Sequence, residues 1–382
     1  MFRLYISLFL LFMMFGCGSS HAPSTGNGGD NGGGNEDTHV TLPENGSCSE
    51  GSFYRLQTGE CYTLRHPEWG FRGVSIPESN LYRVSECTES ALREALDRVG
   101  TSGGRVVLPA CTFTLSDTIG LYDNTIFEGV GIDKTIIRGS TNDIVSLRGK
   151  NIIVRGMTLE GQDRSLGGIV GTNNRGNILI ENVRIKDLRG SGIYLVTAQP
   201  QSDTEITIRA NSISGTLHGV VVKTEASAKM LILSNHLYDN REYGIDISTT
   251  SDVEVAGNYM HDNFYAGAKS PAADGIWYRY NDIHHNGKSS DREDRAGIVY
   301  MGSNPNAKIY LEYNDLRDNG GLAFASWSGH FAYLLLKNNL TAGSSDVNGY
   351  NIRATGVDLV DVFGDNGKIW VGEGNEDRIR YH

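Results

Sequence analysis

The chain has 382 residues, including five cysteines, and a formal net charge of −11 at pH 7. It has no basic stripe, so we do not expect it to bind nucleic acid. An anionic polysaccharide partner would need a local basic cleft, because the overall charge of the chain is acidic. After the amino-terminal segment, no hydrophobic run is long enough to cross a membrane.

The amino-terminal segment has the pattern of an export signal. Residues 4–15 are almost continuously apolar and follow Arg3. The run is too short for a permanent membrane span, so it predicts a signal peptide over residues 1–16. Its end, Gly16-Cys17, resembles a bacterial lipoprotein signal, although the two residues before Gly16 are bulkier than usual. The resemblance implies lipidation of Cys17; ordinary cleavage nearby is the alternative.

The next segment predicts a tether. Residues 17–47 are mainly Gly, Asn, Ser, Asp and Thr, and they hold too few apolar side chains to fold. We therefore expect an exported protein, either an outer-membrane or cell-surface lipoprotein or a periplasmic or extracellular protein. Membrane contact is expected only through the amino-terminal lipid anchor, and the protein is expected to be a monomer.

Four cysteines remain once the lipidated one is set aside, an even number that suits an oxidising compartment. We expect neighbours to pair, Cys48 with Cys61 and Cys87 with Cys111, within a disulfide-containing segment at residues 48–87. The two other connectivities remain open.

The rest of the chain, residues 88–382, is repetitive. An Asn followed two residues later by an apolar residue recurs in register with a Gly-x-apolar column. Residues between the columns alternate, as in Ile245-Asp246-Ile247, which is strand periodicity. The Asn positions are Asn182, Asn211, Asn235, Asn258, Asn281, Asn314 and Asn338, and the Gly column holds Gly192, Gly219, Gly244, Gly297 and Gly349, with weaker members near Gly267 and Leu322.

One such coil cannot bury its apolar face alone, so coils must stack at strand spacing, about 4.8 Å. Identical Asn side chains at one turn can then hydrogen-bond along the stack. We expect these Asn residues to hold turns and to do no chemistry. Residues Glu89 to Val99 have apolar positions at helical spacing, with Thr88 as N-cap and Gly100 as a stop, and predict a helix that caps the first coil.

The stretch from Gly103 to Gly139, GGRVVLPACTFTLSDTIGLYDNTIFEGVGIDKTIIRG, resembles the entry coils of the pectate-lyase-like superfamily. The resemblance implies an all-β fold, a right-handed parallel β-helix with a short capping α-helix. It also implies activity on acidic polysaccharides, as a lyase, hydrolase or C5-epimerase. Cys111 departs from the usual Gly, and its pairing with Cys87 would join the helix to the first coil.

Aligning the Gly column predicts which side chains point outward. Asp246 and Lys269 become stacked neighbours, and His218 and Tyr243 occupy equivalent turn positions. We expect Lys269 and Tyr194 to bind substrate. The predicted outward rows are Tyr194, Val221, Asp246, Lys269 and Val299, and then Val196, Lys223, Ser248, Pro271 and Met301.

The Tyr-Gly-Ile-Asp stretch that begins at Tyr243 resembles the Tyr-Gly-Phe/Ile-Asp-Pro-His motif of mannuronan C5-epimerases. The resemblance implies that Tyr243 and Asp246 are catalytic and that Lys223, on the preceding coil, acts with them. Ser248 stands where that motif has His, so the role of the missing His is either vacant or taken by His218.

The GVVVKTEAS stretch around Lys223 resembles the strand that carries a catalytic Lys in alginate-lyase and chondroitinase-B-like lyases. Those enzymes have an Arg on the next coil and an acidic calcium cluster, where this chain has Asp246 and Ser248. The sequence identifies no cofactor with certainty, and Ca²⁺ is the candidate. The scattered acidic candidates are Asp262, Asp274, Asp282, Asp291, Glu293 and Asp294.

Removal of the C5 proton of a uronate needs a base and a positive charge near the carboxylate. Expulsion of the C4 substituent then gives a lyase, and reprotonation from the opposite face gives an epimerase. We predict a lyase that cleaves an alginate- or pectate-like polysaccharide by β-elimination, with an epimerase as the alternative. A non-catalytic glycan-binding or adhesive β-helix is the third class. Hydrolysis needs two carboxylates, and Asp246 has no clear carboxylate partner.

One coil is longer than its neighbours, and the excess lies in the polar stretch HHNGKSSDREDRAG. Such insertions commonly wall a binding groove, although a solvated bulge is the alternative. The substrate-binding candidates within it are His284, His285, Arg292 and Arg295.

Overall fold

The structure is a computed structural model. It describes residues 48–382 apart from 72, 74–77, 141, 173–175, 198–203, 225–227, 250–251, 273–274, 289–294, 303, 328–329 and 373–374. The predicted signal peptide, tether and lipidated Cys17 lie outside the described residues. None of the helices within the described part is long and apolar enough to span a membrane.

The chain winds into a parallel β-helix whose coils contribute strands to three sheets. Long strands that bend serve sheets 1 and 2 in succession. Sheet 1 contains Leu81–Arg83, Gly104–Val107, Thr125–Glu128, Ile152–Glu160, Ile178–Lys186, Glu205–Arg209, Lys229–Leu233, Asp252–Ala256, Gly275–Arg279, Lys308–Glu312, Phe331–Lys337, Val357–Phe363 and Ile379–Tyr381. Sheet 2 contains Thr112–Thr114, Ile136–Arg138, the ends of Ile152–Glu160 and Ile178–Lys186, then Ser212–Ser214, His236–Tyr238, Tyr259–His261 and Asp282–His284.

Sheet 3 is 11-stranded and carries the predicted outward rows. Its strands alternate between the core and the outer face, as the sequence predicts: Ile245 and Ile247 are fully buried in the core, and Asp246 lies between them. The strands are Ile119–Leu121, Val145–Leu147, Ile169–Thr172, Ile193–Thr197, Val220–Thr224, Tyr243–Thr249, Ala266–Ala272, Ala296–Tyr300, Leu322–Ser326, Ile352–Ala354 and Ile369–Trp370.

A buried ladder of asparagine side chains runs along the stack, and two of its predicted members are wrong. Asn182 and Asn338 have φ of 52° and 48°, the left-handed region that Asn tolerates. They lie one residue before the ladder, since Val183 takes the ladder position on its coil. The members are Asn211, Asn235, Asn258, Asn281, Asn314, Asn339 and Asn366.

A second buried ladder, which the sequence pattern did not reveal, follows sheet 2 at the next turn. Asn240 Nδ2 donates to Asn263 Oδ1 at 2.9 Å, and Asn263 Nδ2 donates to Asn286 Oδ1 at 2.9 Å. Asn286 continues the series to Asn319 at 3.1 Å. Two turns of the coil are therefore fixed by side-chain amides, which satisfy backbone groups that the turns would otherwise bury unpaired.

The glycine column exists because successive backbones approach closely. A Cβ at Gly244 would lie 2.5 Å from the carbonyl oxygen of Gly267, so a larger residue would force the coils apart. The column is corrected at its carboxyl end. Gly297 packs against the carbonyl oxygen of Ala323, so Ala323 and not Leu322 holds the next position of the column. The amide of Ala323 donates to the carbonyl of Asn351, so Gly349 lies outside the column.

The predicted capping helix is confirmed as Glu89–Val99. The Thr88 side chain accepts from the amide of Ala91, and the amide of Gly100, at φ 48°, donates to Leu96. Buried residues of the helix join the core of the solenoid, so the helix covers the open end of the first coil. Short 3-10 helices span Glu78–Asn80 and Glu376–Arg378.

Both predicted disulfides are present, Cys48–Cys61 and Cys87–Cys111. The first closes a hairpin of two strands, Ser52–Tyr54 and Cys61–Thr63, in the amino-terminal segment.

We call residues 48–71 the strap, because they lie across the outer surface of sheet 1. Phe53 and Leu64 pack on Leu231 and Leu233, which point away from the core. The strap thereby covers apolar side chains that would otherwise face water.

Candidate functional site

The register of sheet 3 confirms the first predicted outward row. Asp246 pairs with Val221 on one side and with Lys269 on the other. Lys269 in turn pairs with Val299. Because the strands are parallel, these side chains stand next to one another on the outer face at strand spacing, about 4.8 Å.

The second outward row is confirmed in part. Lys223 pairs with Ser248 as predicted. The register then shifts between Asp246 and Ser248, so that Ser248 pairs with Ala272 and not with Pro271. An extra residue in one strand of a pair has this effect. The irregularity lies directly beside Asp246.

Five of the predicted residues, His218, Lys223, Tyr243, Asp246 and Lys269, come together, and we call them the Asp246 cluster. The Lys269 ammonium lies 3.9 Å from Asp246 Oδ2 and 4.7 Å from the centre of the Tyr243 ring. The His218 and Tyr243 rings are parallel, with 5.6 Å between their centres. The cluster thus brings two cations, a carboxyl group and an imidazole to one outer face.

Tyr194 borders this cluster from the preceding coils. Its ring lies 5.6 Å from the Lys223 ammonium. Cation–π contacts of this kind orient a flexible lysine without neutralising it. The predicted substrate-binding residue is therefore placed where it can hold Lys223.

Asp246 is mostly withdrawn from solvent, and burial raises the pKa of its carboxyl group. The positive charges of Lys269 and Lys223 lower that pKa in part. Oδ1 of Asp246 is buried and has no hydrogen-bond partner among the described residues. A carboxylate with a raised pKa and an unpartnered oxygen is a stronger base than an exposed aspartate.

His218 is held in its neutral form. Burial lowers its pKa to about 4, and the charges of Lys269 and Lys223 act in the same direction. Its Nε2 lies 3.6 Å from Glu242, while Nδ1 is buried and has no partner in the described part of the chain. At neutral pH this imidazole therefore carries no charge.

The lowered pKa of His218 predicts a loss of stability in acid. His218 is protonated near pH 6.5 in the unfolded chain, but only near about pH 4 in the folded chain. Its contribution to the free energy of unfolding is therefore fully present above pH 6.5 and is lost as the pH falls toward about 4. We expect the free energy of unfolding to fall by roughly 3 kcal/mol over that range from this group. His218→Gln should flatten the decline in urea titrations. An equal decline in His218→Gln and in the parent would contradict this assignment.

Tyr243 is the most enclosed member of the cluster, with only 3% of its surface exposed. It packs with Ala266, Ala296 and Leu322 in an apolar group outside the main core. Its ring lies beside both His218 and Lys269. This placement suits a residue that positions those two side chains.

The candidates of the long coil are not brought together with the Asp246 cluster by any described contact. His284 ends a strand of sheet 2 and stacks with His261, and His285, in the left-handed region, contacts His284 edge to face. Arg295 directly precedes the sheet 3 strand that begins at Ala296. Arg292 lies outside the described residues.

A second group of titratable side chains lies on sheet 2, and the sequence pattern did not single it out. His236 Nε2 and His261 Nε2 are 2.8 Å apart, and His261 Nδ1 is 2.6 Å from Asp262. Burial lowers the pKa of His236 to about 3. The repeat could have revealed this group, because His236, Tyr259 and Asp282 occupy the same position on successive coils. Tyr238, His261 and His284 likewise share one position.

Two of the acidic residues that the sequence offers as calcium ligands are paired with basic side chains of the protein. Arg55 of the strap forms an ion pair with Asp282, and Lys288 lies 2.6 Å from Asp262. Within the described ranges, no group of three or more His, Cys, Asp or Glu side chains could hold a metal ion. Asp274, Asp291, Glu293 and Asp294 lie outside those ranges.

Comparison with solved structures returns proteins of low sequence identity. The A-module of mannuronan C-5 epimerase AlgE4 from Azotobacter vinelandii is 16% identical, with a TM-score of 0.38 over 80% of this chain and 98% of that one. ORF18 of Geobacillus virus E2 is 13% identical, with a TM-score of 0.46 over 83% and 69%. The tailspike gp49 of Acinetobacter baumannii bacteriophage Fri1, a capsular polysaccharide depolymerase, is 12% identical, with a TM-score of 0.37 over 87% and 69%. Comparison with curated proteins gives no match.

The stacked coils, the glycine column and the charged cluster on sheet 3 define a parallel β-helix protein with one chemically distinct outer face. The sequence model of the right handed beta helix region matches residues 73–260 and 168–340. The chain belongs to this family, and the predicted right-handed parallel β-helix is confirmed.

Proposed function

We propose that this protein is a carbohydrate-active enzyme, and specifically a lyase that cleaves a uronate-containing polysaccharide at the Asp246 cluster. The observation that carries the proposal is the contact between Lys269 and Asp246, with Lys223 acting on the same carboxyl group. A base flanked by two ammonium groups suits a substrate that is itself anionic and must lose a proton beside its carboxylate.

Lys269 pairs with the C6 carboxylate of the uronate and stabilises the negative charge that develops when C5 is deprotonated. Asp246 takes the C5 proton, and the electron pair of that bond forms the C4–C5 double bond. The C4–O4 bond breaks, and O4 takes a proton from the Lys223 ammonium. Exchange with solvent then returns the proton from Asp246 and restores the charge on Lys223.

The electrostatics support this division of roles. The raised pKa of Asp246 makes its carboxylate a better proton acceptor than an exposed aspartate, while the lysines keep it from being permanently protonated. Neutral His218 stands on the same face without adding positive charge. The Tyr243 ring contacts both the His218 ring and the Lys269 ammonium, so removal of this ring would displace two members of the cluster.

The proposal includes an extracytoplasmic setting and an acidic polysaccharide as the partner. Two disulfides in a chain of this kind favour an oxidising compartment. The predicted lipid anchor at Cys17 would keep the enzyme at a membrane surface, where it would meet polysaccharide from outside.

Incubation with a panel of acidic polysaccharides tests the proposal. A lyase generates an unsaturated uronate, which absorbs in the ultraviolet, and we expect such absorbance with at least one member of the panel. Lys223→Met should lower the rate at least 100-fold without unfolding the protein, because it removes the proposed proton donor. Tyr243→Leu should lower the rate about 100-fold, because it removes the ring that lies beside His218 and Lys269. Lys308→Met removes a charge from an exposed position on sheet 1 and should leave the rate unchanged.

The other outcomes separate the remaining classes. Exchange of the C5 proton with deuterium from solvent, without absorbance, would identify the epimerase. Tight binding with neither signal would identify a non-catalytic glycan-binding protein. Full activity in both Lys223→Met and Tyr243→Leu would contradict the assignment of the site.

A further inference from the structure

A second cationic group lies on the outer face of sheet 3, near the carboxyl end of the solenoid. The Arg353 guanidinium is 4.8 Å from the centre of the Trp327 ring and 4.7 Å from the centre of the Trp370 ring. Two indole rings on one guanidinium fix the plane and position of the charge. We call these three residues the Arg353 clamp.

The clamp lacks the anionic partner that many arginines of the outer surface have. Arg155 and Arg279 each contact two glutamates, and Arg380 is paired with Asp361. No described carboxylate forms an ion pair with Arg353, and its Nε is buried without a hydrogen-bond partner. A positioned but unpaired guanidinium is suited to a planar anion such as a carboxylate.

The clamp is in register with the Asp246 cluster. Lys269 pairs with Val299, Val299 with Ala325, and Ala325 with Arg353. Three coils therefore separate Lys269 from Arg353, which amounts to about 14 Å along the axis of the solenoid. A pyranose unit is about as long as the spacing between coils, so a glycan that follows the axis places about one sugar on each coil.

The row residues between the two cations, Val299 and Ala325, are fully buried, and partly exposed aromatic rings pack on their group. Val299, Ala325 and Leu322 form one buried group, and the partly exposed rings of Tyr265 and Trp327 pack on it. Tyr350, which stands three residues before Arg353 as Tyr243 does before Asp246, packs there too. Aromatic faces of this kind contact the C–H faces of sugar rings, so this surface suits a chain of sugars between two anion sites.

We infer that the Arg353 clamp is a distal subsite that binds the carboxylate of a uronate about three units from the residue cleaved at the Asp246 cluster. The inference rests on the proposed function and deepens it, because it specifies a substrate with uronates at both positions. A neutral polysaccharide would leave Arg353 unpaired and would gain nothing from the clamp.

Binding by calorimetry to oligogalacturonates and oligomannuronates tests the subsite separately from turnover. Arg353→Gln and Trp327→Ala should each weaken the binding of octasaccharides roughly tenfold, since each removes one charge-assisted or stacking contact. Disaccharides are too short to reach both sites, so their affinity should not change. Lys308→Gln, a charge change at an exposed site on sheet 1, is the matched control and should bind both lengths like the parent.

The result that overturns the subsite is equal octasaccharide affinity in Arg353→Gln, Trp327→Ala and the parent, or no binding of either glycan to the parent. The proposed function can fail independently. If the parent binds octasaccharides through Arg353 but forms no unsaturated product, the subsite stands and the lyase assignment does not. If product forms at rates that do not depend on Arg353 or on chain length, the lyase assignment stands alone.

Discussion

Asp246→Asn is expected to lower turnover at least 100-fold, because it removes the proposed base while keeping the shape of the side chain. Lys269 loses its anionic partner in this variant, but its contact with the Tyr243 ring remains. The affinity for an acidic oligosaccharide should therefore hold or rise, since one negative charge is gone from the site. Initial rates and binding constants measured on the same preparation distinguish this result from a general loss of structure.

The same substitution has a predicted effect on stability. Burial raises the pKa of Asp246 above its ordinary 3.8, so the folded chain holds this proton to higher pH than the unfolded chain does. The contribution of this group to stability is therefore greatest in acid and falls as pH rises through the window above 3.8. Asp246→Asn removes that decline.

Urea titrations near neutral pH should thus find the Asn variant at least as stable as the parent. A variant that is both inactive and clearly less stable at neutral pH would show that Asp246 serves the fold and not the chemistry.

Asn258→Ala is expected to cost about 3 kcal/mol or more of unfolding free energy. Nδ2 of Asn258 donates to the carbonyl of Ile232 and to Oδ1 of Asn281, and its Oδ1 accepts from both the amide and Nδ2 of Asn235. The side chain is fully buried, so water cannot replace these bonds.

Asn182→Gly is the matched control for the ladder. Asn182 lies at φ 52°, which glycine adopts without strain, and it is not a ladder member. Its replacement should change the unfolding free energy by less than about 0.5 kcal/mol. Chemical denaturation of the two variants and the parent measures the difference, and similar costs for both would mean that the ladder bonds do not hold the stack.

The sequence was sufficient to predict the solenoid, because each coil repeats the same glycine and asparagine positions. It was insufficient to choose between adjacent asparagines. Asn338 fits the pattern through Leu340, whereas Asn339 is followed two residues later by Thr341, and only the hydrogen bonds identify Asn339 as the ladder member. The second ladder was not predicted, because its asparagines come after those of the first ladder at positions that the pattern of apolar residues does not distinguish.

For the candidate site, the glycine column was enough to place Asp246 beside Lys269, since parallel strands in register leave little freedom. The irregularity after Asp246 could not be predicted, because a shift by one residue leaves the local composition unchanged. The Arg353 clamp was missed for another reason. The predicted outward rows end at Val299 and Met301, and counting Gly349 as a member of the column sets the last coils out of register by two residues, so that Arg353 falls outside the row.

The strap affects how the solenoid unfolds. Coils of a solenoid contact only their immediate neighbours, so such a stack can fray from either end. The strap contacts Ile126 through Phe71 and Asp282 through Arg55, and so joins coils that are remote from one another. Loss of an early coil therefore loosens a late one, and the solenoid gains the all-or-none unfolding of a globular domain.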